Sequence, residues 1–341
     1  MILAGDVGGT NTRLAFFEER AGKLHNVFEH VYSSQNHASL EDIVEEFLKS
    51  QKFQLDSVAI GVAGPVRDGV CRATNLPWVV DSRLVAKRIG VPSITLLNDL
   101  EANAYGIATL TADDFAVLQP GAPGAKGNCA VISPGTGLGE AALHWEGGHY
   151  SPLASEGGHS SFAPRDELQD ELLKHYRAKY GHVSWERFVC GPGLVTLYEF
   201  LRDTGRGQEP AWLGAEIKEG DPAAVISRTA LAGKSALCET ALDLFIVLLG
   251  SEAGNIALKV LALGGVYIGG GIAPKILPKL QTAAFLAAFT DKGRMKEMLQ
   301  AMPVRVILND GTALRGAARR AMMLQGGNQP LSSAVPAPRA R

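Results

Sequence analysis

Cysteine is scarce and scattered. Four residues, Cys71, Cys129, Cys190 and Cys238, stand far apart with no C-x-x-C pair. That excludes a zinc knuckle and a disulfide framework and fits a reduced, cytoplasmic setting. Charge of one sign is lacking as well, with 33 Lys and Arg against 35 Asp and Glu. No basic face is implied, so nucleic acid is not the expected partner. The N-terminus has no charged segment, apolar core and small-residue cleavage site, and begins directly on an apolar strand, so no standard export signal is expected. Nor is there an uninterrupted apolar run of membrane length. The most apolar window, residues 242–266, is broken by Asp243, Glu252 and Lys259 and by Gly250, Ser251, Gly254 and Asn255. A buried domain helix is expected there and no membrane contact, because charges are costly in a bilayer.

Glycine is present in plenty, 39 of 341 residues. The opening stretch, residues 1–17, runs as an apolar strand into a turn built around Gly5, Asp6, Gly8, Gly9, Thr10 and Asn11 and resumes as a strand. Backbone N–H groups of such a turn can approach an anion closely, since glycine has no Cβ to hold it off. A nucleotide phosphate tail suits it, and Asp6 stands where a carboxylate could hold Mg²⁺ through water. A tight hairpin with no ligand is the other reading of these residues alone.

The length suggests two domains. Strand patterns at 57–62 and 94–97 alternate with helical patterns at 40–49 and 82–89, which describes an α/β domain. These strands run into Ala63-Gly64-Pro65 and Asn98-Asp99, and strand ends are where open α/β sheets place ligands. A second block has strand patterns at 115–118 and 129–132, then Ser133-Pro134-Gly135-Thr136-Gly137-Leu138-Gly139, then a strand over 141–145. The repeat of strand, glycine turn and strand predicts a duplicated architecture with a phosphate loop in each half. Leu153 to Pro164 includes Glu156-Gly157-Gly158-His159, and helical patterns follow at 166–180, 184–188, 192–202, 221–231 and 235–261, with Asp166 and Ser184 as expected N-caps. A short apolar strand then enters Gly269-Gly270-Gly271, residues 304–308 read as a strand, and 312–323 as a helix.

Four motifs, Gly5 to Thr12, Asn98-Asp99, Gly135 to Gly139 and Gly269 to Gly271, stand in the order of the sugar kinase, actin and heat-shock ATPase superfamily. Within it the chain resembles the bacterial glucokinases from about residue 2 to 323, through GDVGGTNTRLA, NDLEANAYGI, GTGLG, EGGHSSFAP, GHVSWERFVCGPGLVTLYEFL and GGVYIGGGIAP. The resemblance implies an α/β, two-lobed actin/hexokinase-like (ribonuclease H-like) fold with a cleft between lobes. It places a small domain at 1–109 plus 303–324 and a large one at 110–302, while the Gly-, Ser-, Pro-, Ala- and Arg-rich composition of 325–341, without periodicity, reads as a disordered tail. It implies transfer of the γ-phosphate of ATP to the 6-hydroxyl of glucose, giving glucose 6-phosphate and ADP, with Mg²⁺ as cofactor and a homodimer as the assembly.

By the same resemblance Asp99 matches the general base and Asn98 a sugar contact beside it. Glu156, His159 and Glu186 match the remaining sugar-binding side chains, and Gly64, Pro65 and Asn75 the loops closing over the hexose. Gly8, Gly9, Thr10, Asn11, Gly135, Thr136 and Gly137 match phosphate positions, and Gly269, Gly270 and Gly271 the nucleoside site. The chemistry agrees, since ionised carboxylates accept two hydroxyl donors strongly and phosphoryl transfer asks mainly for positioning and charge stabilisation. No Cys-x-Cys-Gly-x-x-Gly-Cys element is present and no helix-turn-helix segment precedes the first hairpin, so the zinc site and the transcription-factor reading of the related repressor/open-reading-frame/kinase family are not expected. The alternatives are a kinase for another hexose or using polyphosphate, an actin- or chaperone-like ATPase, and a sugar sensor without turnover. The ATPases lack the Glu156, His159 and Glu186 set, and an intact Asp99 argues against the sensor.

Overall fold

The computed structural model describes residues 1–51, 53–73, 76–146 and 149–325. Two compact units account for them. Unit 1 comprises Met1–Asp114, Leu143–Ala154 and the chain from Asn309 on; unit 2 comprises Phe115–Ala142 and Ser155–Leu308. Asn75 and residues 326–341 of the expected tail lie outside the described residues.

In unit 1, β1 (Ile2–Val7) pairs antiparallel with β2 (Asn11–Arg20), and β3 (Lys23–Ser33) continues antiparallel outside β2. On the other side β4 (Ser57–Val62) runs parallel to β1. The short strands β5 (Val66–Arg67), β6 (Val70–Arg72) and β7 (Val79–Asp81) form a sheet of their own, and β8 (Thr95–Asn98) lies parallel to β4. The main order is therefore β3-β2-β1-β4-β8. Helix α1 (Leu40–Ser50) starts where the Ser39 side chain accepts from Asp42 N–H, with Glu41 and Asp42 in its first turn. Its Leu40, Ile43, Val44 and Phe47 recur at helical spacing and are buried, the Phe47 ring lying 4.6 Å from that of Phe16. Helix α2 (Ser82–Ile89) is capped by Asp81 and stops at Gly90, which takes the left-handed conformation at φ 75°. Helix α3 (Asp99–Ile107) follows β8 without a loop.

A second sheet is formed by β9 (Phe115–Gln119), β10 (Cys129–Pro134), β11 (Leu138–Glu146), β12 (His149–Ser155), β13 (Gly265–Ile268) and β14 (Val304–Ile307) in the order β12-β11-β10-β13-β14-β9, its strands falling in unit 2 apart from Leu143–Ala154. Its first five strands repeat the unit 1 order, with β10, β13 and β14 parallel as β1, β4 and β8 are. The expected duplication is thus present in the topology. The helices are α4 (Glu167–Tyr180), α5 (Gly191–Asp203), α6 (Ala211–Glu219), α7 (Pro222–Leu231), α8 (Ala236–Lys259), α9 (Leu277–Leu280), α10 (Ala283–Thr290) and α11 (Lys296–Gln300). Helix α8 is the one expected from the apolar window, and it is buried around most of its circumference, Phe245, Leu249 and Ala253 included. The glycines that interrupt it have a packing cause. A Cβ on Gly250 or Gly254 would lie 2.5 Å from the carbonyl oxygen of Phe285 or Phe289 on α10.

Residues 184–188 do not make the expected helix. Only a 3₁₀ turn forms, at Trp185–Arg187, and the Ser184 side chain makes no capping bond. The backbone is already engaged, because Ser184 bridges to Ser161 and Trp185 N–H donates to the Ser160 carbonyl. Asp166 does cap α4, accepting from Gln169 N–H. The C-terminal helix, Thr312–Gln325, packs on α3 in unit 1 at two glycines: a Cβ on Gly106 would overlap the Thr312 carbonyl, and one on Gly316 the Ala102 carbonyl. Gly316→Ala is therefore expected to destabilise the protein by about 1–3 kcal/mol, against a helix propensity that alone would favour Ala by about 1 kcal/mol. Thermal denaturation reads the sign directly.

Candidate active site

The parallel strands of unit 1 deliver the sequence-predicted residues at their carboxyl ends. Val7 of β1 pairs with Val62 of β4, and Val62 with Asn98 of β8, so three strand ends lie side by side. After β1 the turn is closed by Gly8 N–H donating to the Asn11 carbonyl at 2.9 Å. Ser34 braces it from behind: its N–H donates to the Thr10 carbonyl (2.9 Å), its hydroxyl donates to the Gly8 carbonyl (2.8 Å), and it lies 2.9 Å from Thr12 Oγ1. Gly8 and Gly9 are half-buried, and Thr10 and Asn11 are exposed at the tip.

Asp6 sits opposite Arg13 in the β1–β2 ladder. Burial pushes its carboxyl up to about 6, against the pull of Arg13, and the Asp310 carboxylate adds to the rise. Arg13 is held in turn by Asp310 at 3.0 Å and Glu29 at 3.5 Å. Beyond β4, Gly64 takes φ 146° and is buried, and its carbonyl accepts from Asn98 Nδ2 at 3.0 Å, while Pro65 is exposed. Asn98 is also the N-cap of α3, its Oδ1 accepting from Leu100 N–H (2.9 Å) and Glu101 N–H (3.4 Å). Its side chain therefore ties β8, α3 and the Gly64 loop together. Asp99 is the first residue of α3, where the helix N-terminus favours an anion. The thiol of Cys71 is pushed up to about 11 by burial and by the Asp99 carboxylate.

Unit 2 builds its part around the turn between β10 and β11. Gly135 N–H donates to the Gly137 carbonyl at 2.8 Å, and the Gly135 carbonyl accepts from Gly191 N–H, the first residue of α5, at 2.8 Å. Gly135 and Thr136 open onto a cavity of about 1220 Å³ whose walls, from α5, α7 and the segment after β13, are mostly apolar, with Pro192, Ala223 and Ile272 among them and Lys275 at one side. Of the three expected nucleoside glycines only Gly271 lines it. Gly269 and Gly270 form the close crossing beneath: Gly269 N–H donates to the Ile132 carbonyl at 2.9 Å, and Gly270, at φ 77°, packs against Pro134.

On the other flank of the same turn stands Glu186. Its Oε2 accepts from Leu138 N–H at 2.9 Å, and its Oε1 lies 3.6 Å from His159 Nδ1, while His159 Nε2 lies 4.0 Å from Glu156 Oε2. Glu156 and His159 are exposed and Glu186 is half-buried. The backbone of Glu186 is fixed by its neighbours: Trp185 is buried against Phe162, with rings 4.8 Å apart, and Cys190 Sγ donates to the Glu186 carbonyl at 2.9 Å. Two carboxylates and an imidazole converge on the edge of a phosphate-sized turn, an arrangement suited to a polyhydroxyl ligand. Sequence reasoning missed Ser34 and the cavity walls, since a brace and an apolar lining carry no motif.

A family model for glucokinase matches residues 3–324. A glucokinase of Nostoc sp. strain PCC 7120 is 41% identical over 334 residues, spanning 93% of this chain and 98% of its own. The solved structure of a glucokinase from an Antarctic psychrotroph matches with a TM-score of 0.81 at 31% identity, over 94% of this chain and 98% of its own. That of a ROK family glucokinase from Streptomyces griseus in complex with glucose and AMPPNP matches with a TM-score of 0.63 at 20% identity, over 94% and 99% respectively.

The displaced carboxyl of Asp6 has a stability consequence. Its ionisation moves from an ordinary 3.8 to about 6 on folding, so the native state binds the extra proton and stability falls as the pH rises through that interval. Asp6→Asn removes the penalty. The variant is expected to be more stable than wild type at pH 7 by about 1–3 kcal/mol, with the difference vanishing below about pH 4. Denaturant titrations at the two pH values check this.

Proposed function

The chain belongs to the glucokinase family, an enzyme that phosphorylates glucose, and from that premise we propose that the donor is ATP, the acceptor atom the 6-hydroxyl and the general base Asp99. One observation carries the substrate assignment: a single three-residue turn, Gly135-Thr136-Gly137, has a large apolar cavity on one flank and the Glu156, His159 and Glu186 cluster on the other. The cavity has the size and apolar character for a purine nucleoside. The turn has the exposed Thr136 and the close backbone approach that phosphates need, and the Streptomyces relative was solved with both glucose and AMPPNP.

In this reading Glu156 and Glu186 accept hydrogen bonds from sugar hydroxyls, and His159, poised between them, fixes their spacing. An analogue lacking one of those hydroxyls leaves a carboxylate unpaired and is rejected steeply. Asp99, at the N-terminus of α3, takes the proton of the primary hydroxyl as its oxygen attacks the γ-phosphorus. The turns at Gly8–Asn11 and Gly135–Gly137 supply hydrogen-bond donors to the phosphates.

Among the described residues no cluster of three or more His, Cys, Asp or Glu side chains could hold a metal ion. In this reading Mg²⁺ comes with the triphosphate and would supply positive charge to it. Asp6 fits a contact to it through water, because a desolvated carboxylate with a single cation beside it gains from a second. The reading also takes the enzyme as a cytoplasmic homodimer acting at the start of glycolysis; the reduced, buried cysteines support the compartment and the family resemblance the dimer.

Asp99→Ala is expected to retain glucose binding by calorimetry and to lose turnover by about 10²–10⁴-fold in a coupled assay of ADP release. Retention of more than about a tenth of the rate would remove Asp99 from the base position. Glucose-independent ADP release by the wild type would remove the kinase reading.

A further inference from the structure

Beneath the Glu156 to His159 turn lies a buried acidic pair with no part in the reaction just described. Glu140, two residues along β11 from Leu138, is 2% exposed, and Glu252, in the middle of α8, is 0% exposed. The two carboxyls interact with one another, and Glu140 Oε1 is buried with no hydrogen-bond partner among the described residues. Glu252 Oε2 accepts from Asn255 Nδ2 at 2.7 Å, and its Oε1 faces Lys259 Nζ at 3.5 Å. Lys292, after α10, reaches the group through Asn255 Oδ1 at 2.7 Å and holds the Ser251 carbonyl at 3.0 Å. Lys292 is flanked by Arg165 and by Asp291, which pair with each other at 2.7 Å.

The pair touches the sugar turn directly. Glu140 Oε2 packs so closely under Gly157 that a Cβ there would overlap it, and a Cβ on Gly158 would overlap the Leu138 carbonyl. Gly157 and Gly158 lie between Glu156 and His159, so β11 is the floor on which both side chains stand. Burial raises both carboxyls above the usual range, the Glu252 carboxylate raises that of Glu140 further, and the half-exposed Lys259 offsets this only partly. Two facing carboxylates, buried together, are stable with one proton between them.

We propose that Glu140 is a positioning residue for glucose: through a proton shared with Glu252 it seats the Gly157-Gly158 turn, and with it Glu156 and His159. This rests on the assignment of Glu156 and His159 to the sugar. Loss of the shared proton at alkaline pH places two negative charges under the turn, lifts it, and weakens glucose affinity while leaving the nucleotide cavity untouched.

The test is steady-state kinetics of the full-length enzyme between about pH 6.5 and about pH 9, varying glucose and ATP separately, for wild type, Glu140→Gln, Glu140→Ala and Glu156→Gln. In the wild type KM for glucose is expected to rise by about 5-fold or more toward the alkaline end, with KM for ATP flat. Glu140→Gln keeps a hydrogen-bond donor toward Glu252 and cannot ionise, so its KM for glucose should stay near the low-pH wild-type value throughout. Glu140→Ala should raise KM for glucose at every pH with KM for ATP unchanged. A wild-type KM for glucose that is flat across the range overturns the proposal. So does an alkaline rise that persists in Glu140→Gln, which would place the titration on Lys292. If Glu140→Ala fails to fold, the profile of Glu140→Gln decides alone. Glu156→Gln separates the two claims: if it leaves KM for glucose unchanged, the sugar assignment fails first, whereas a raised KM there with a wild-type profile in Glu140→Gln sinks the positioning role alone.

Discussion

The first residues of β11 carry the constraint on which unit 2 depends. Three positions within four residues at its start, Gly137, Leu138 and Glu140, make contacts with two separate loops. Gly137 leaves room for the Glu186 carboxylate, Leu138 N–H donates to it, the Leu138 carbonyl meets Gly158, and Glu140 lies under Gly157. Because peptide geometry fixes the spacing along a strand, the carboxylates and the Gly135–Gly137 turn cannot drift apart without breaking the sheet. Here a strand, the stiffest element available, sets the distances that a transfer reaction needs.

The same economy recurs in the two sheets. In each, an antiparallel hairpin holds a glycine turn at its tip, and parallel strands alongside it end at further polar or glycine segments. A parallel strand exposes its carboxyl-end backbone groups where a following helix begins, as at Asn98-Asp99 before α3. That gives a place for anions and polar ligands without any special sequence elsewhere in the domain. The glycines inside α8 and at the crossing of α3 with the C-terminal helix have nothing to do with ligands; they are points where backbones touch.

Legibility followed burial and local periodicity. Helices α1 and α2 and strand β4 were readable to within a residue because one face of each is apolar and their ends carry Ser39, Asp81 and Gly90. Strand β3 was not, because it is an exposed edge whose residues, Val27 and Val31 among them, show no alternation of burial. Residues 184–188 read as a helix because Ser184 followed by Glu186 imitates a capping turn, yet the pairing of Ser184 with Ser161 outweighed it. The two glycine turns were legible since their spacing is local. The burial of Glu140 was not, because its neighbours Gly157 and Glu252 lie far along the chain and are brought to it only by the fold.

Ionisable groups that are buried or half-buried lie beside the glycine turns: half-buried Asp6 at the end of β1, buried Glu140 and Glu252 under Gly157-Gly158, and half-buried Lys292 beside them, its ammonium lowered to about 8 by burial and by Arg165. Each is costly to a protein that only had to fold, since a desolvated charge weakens the native state. Hydrophobic residues of similar volume would pack such positions without loss. Under the proposed function that cost is offset on binding, by a cation beside Asp6 or by a sugar seated on the turn above Glu140. On that account the free enzyme is held slightly unstable at these points, and its ligands complete it.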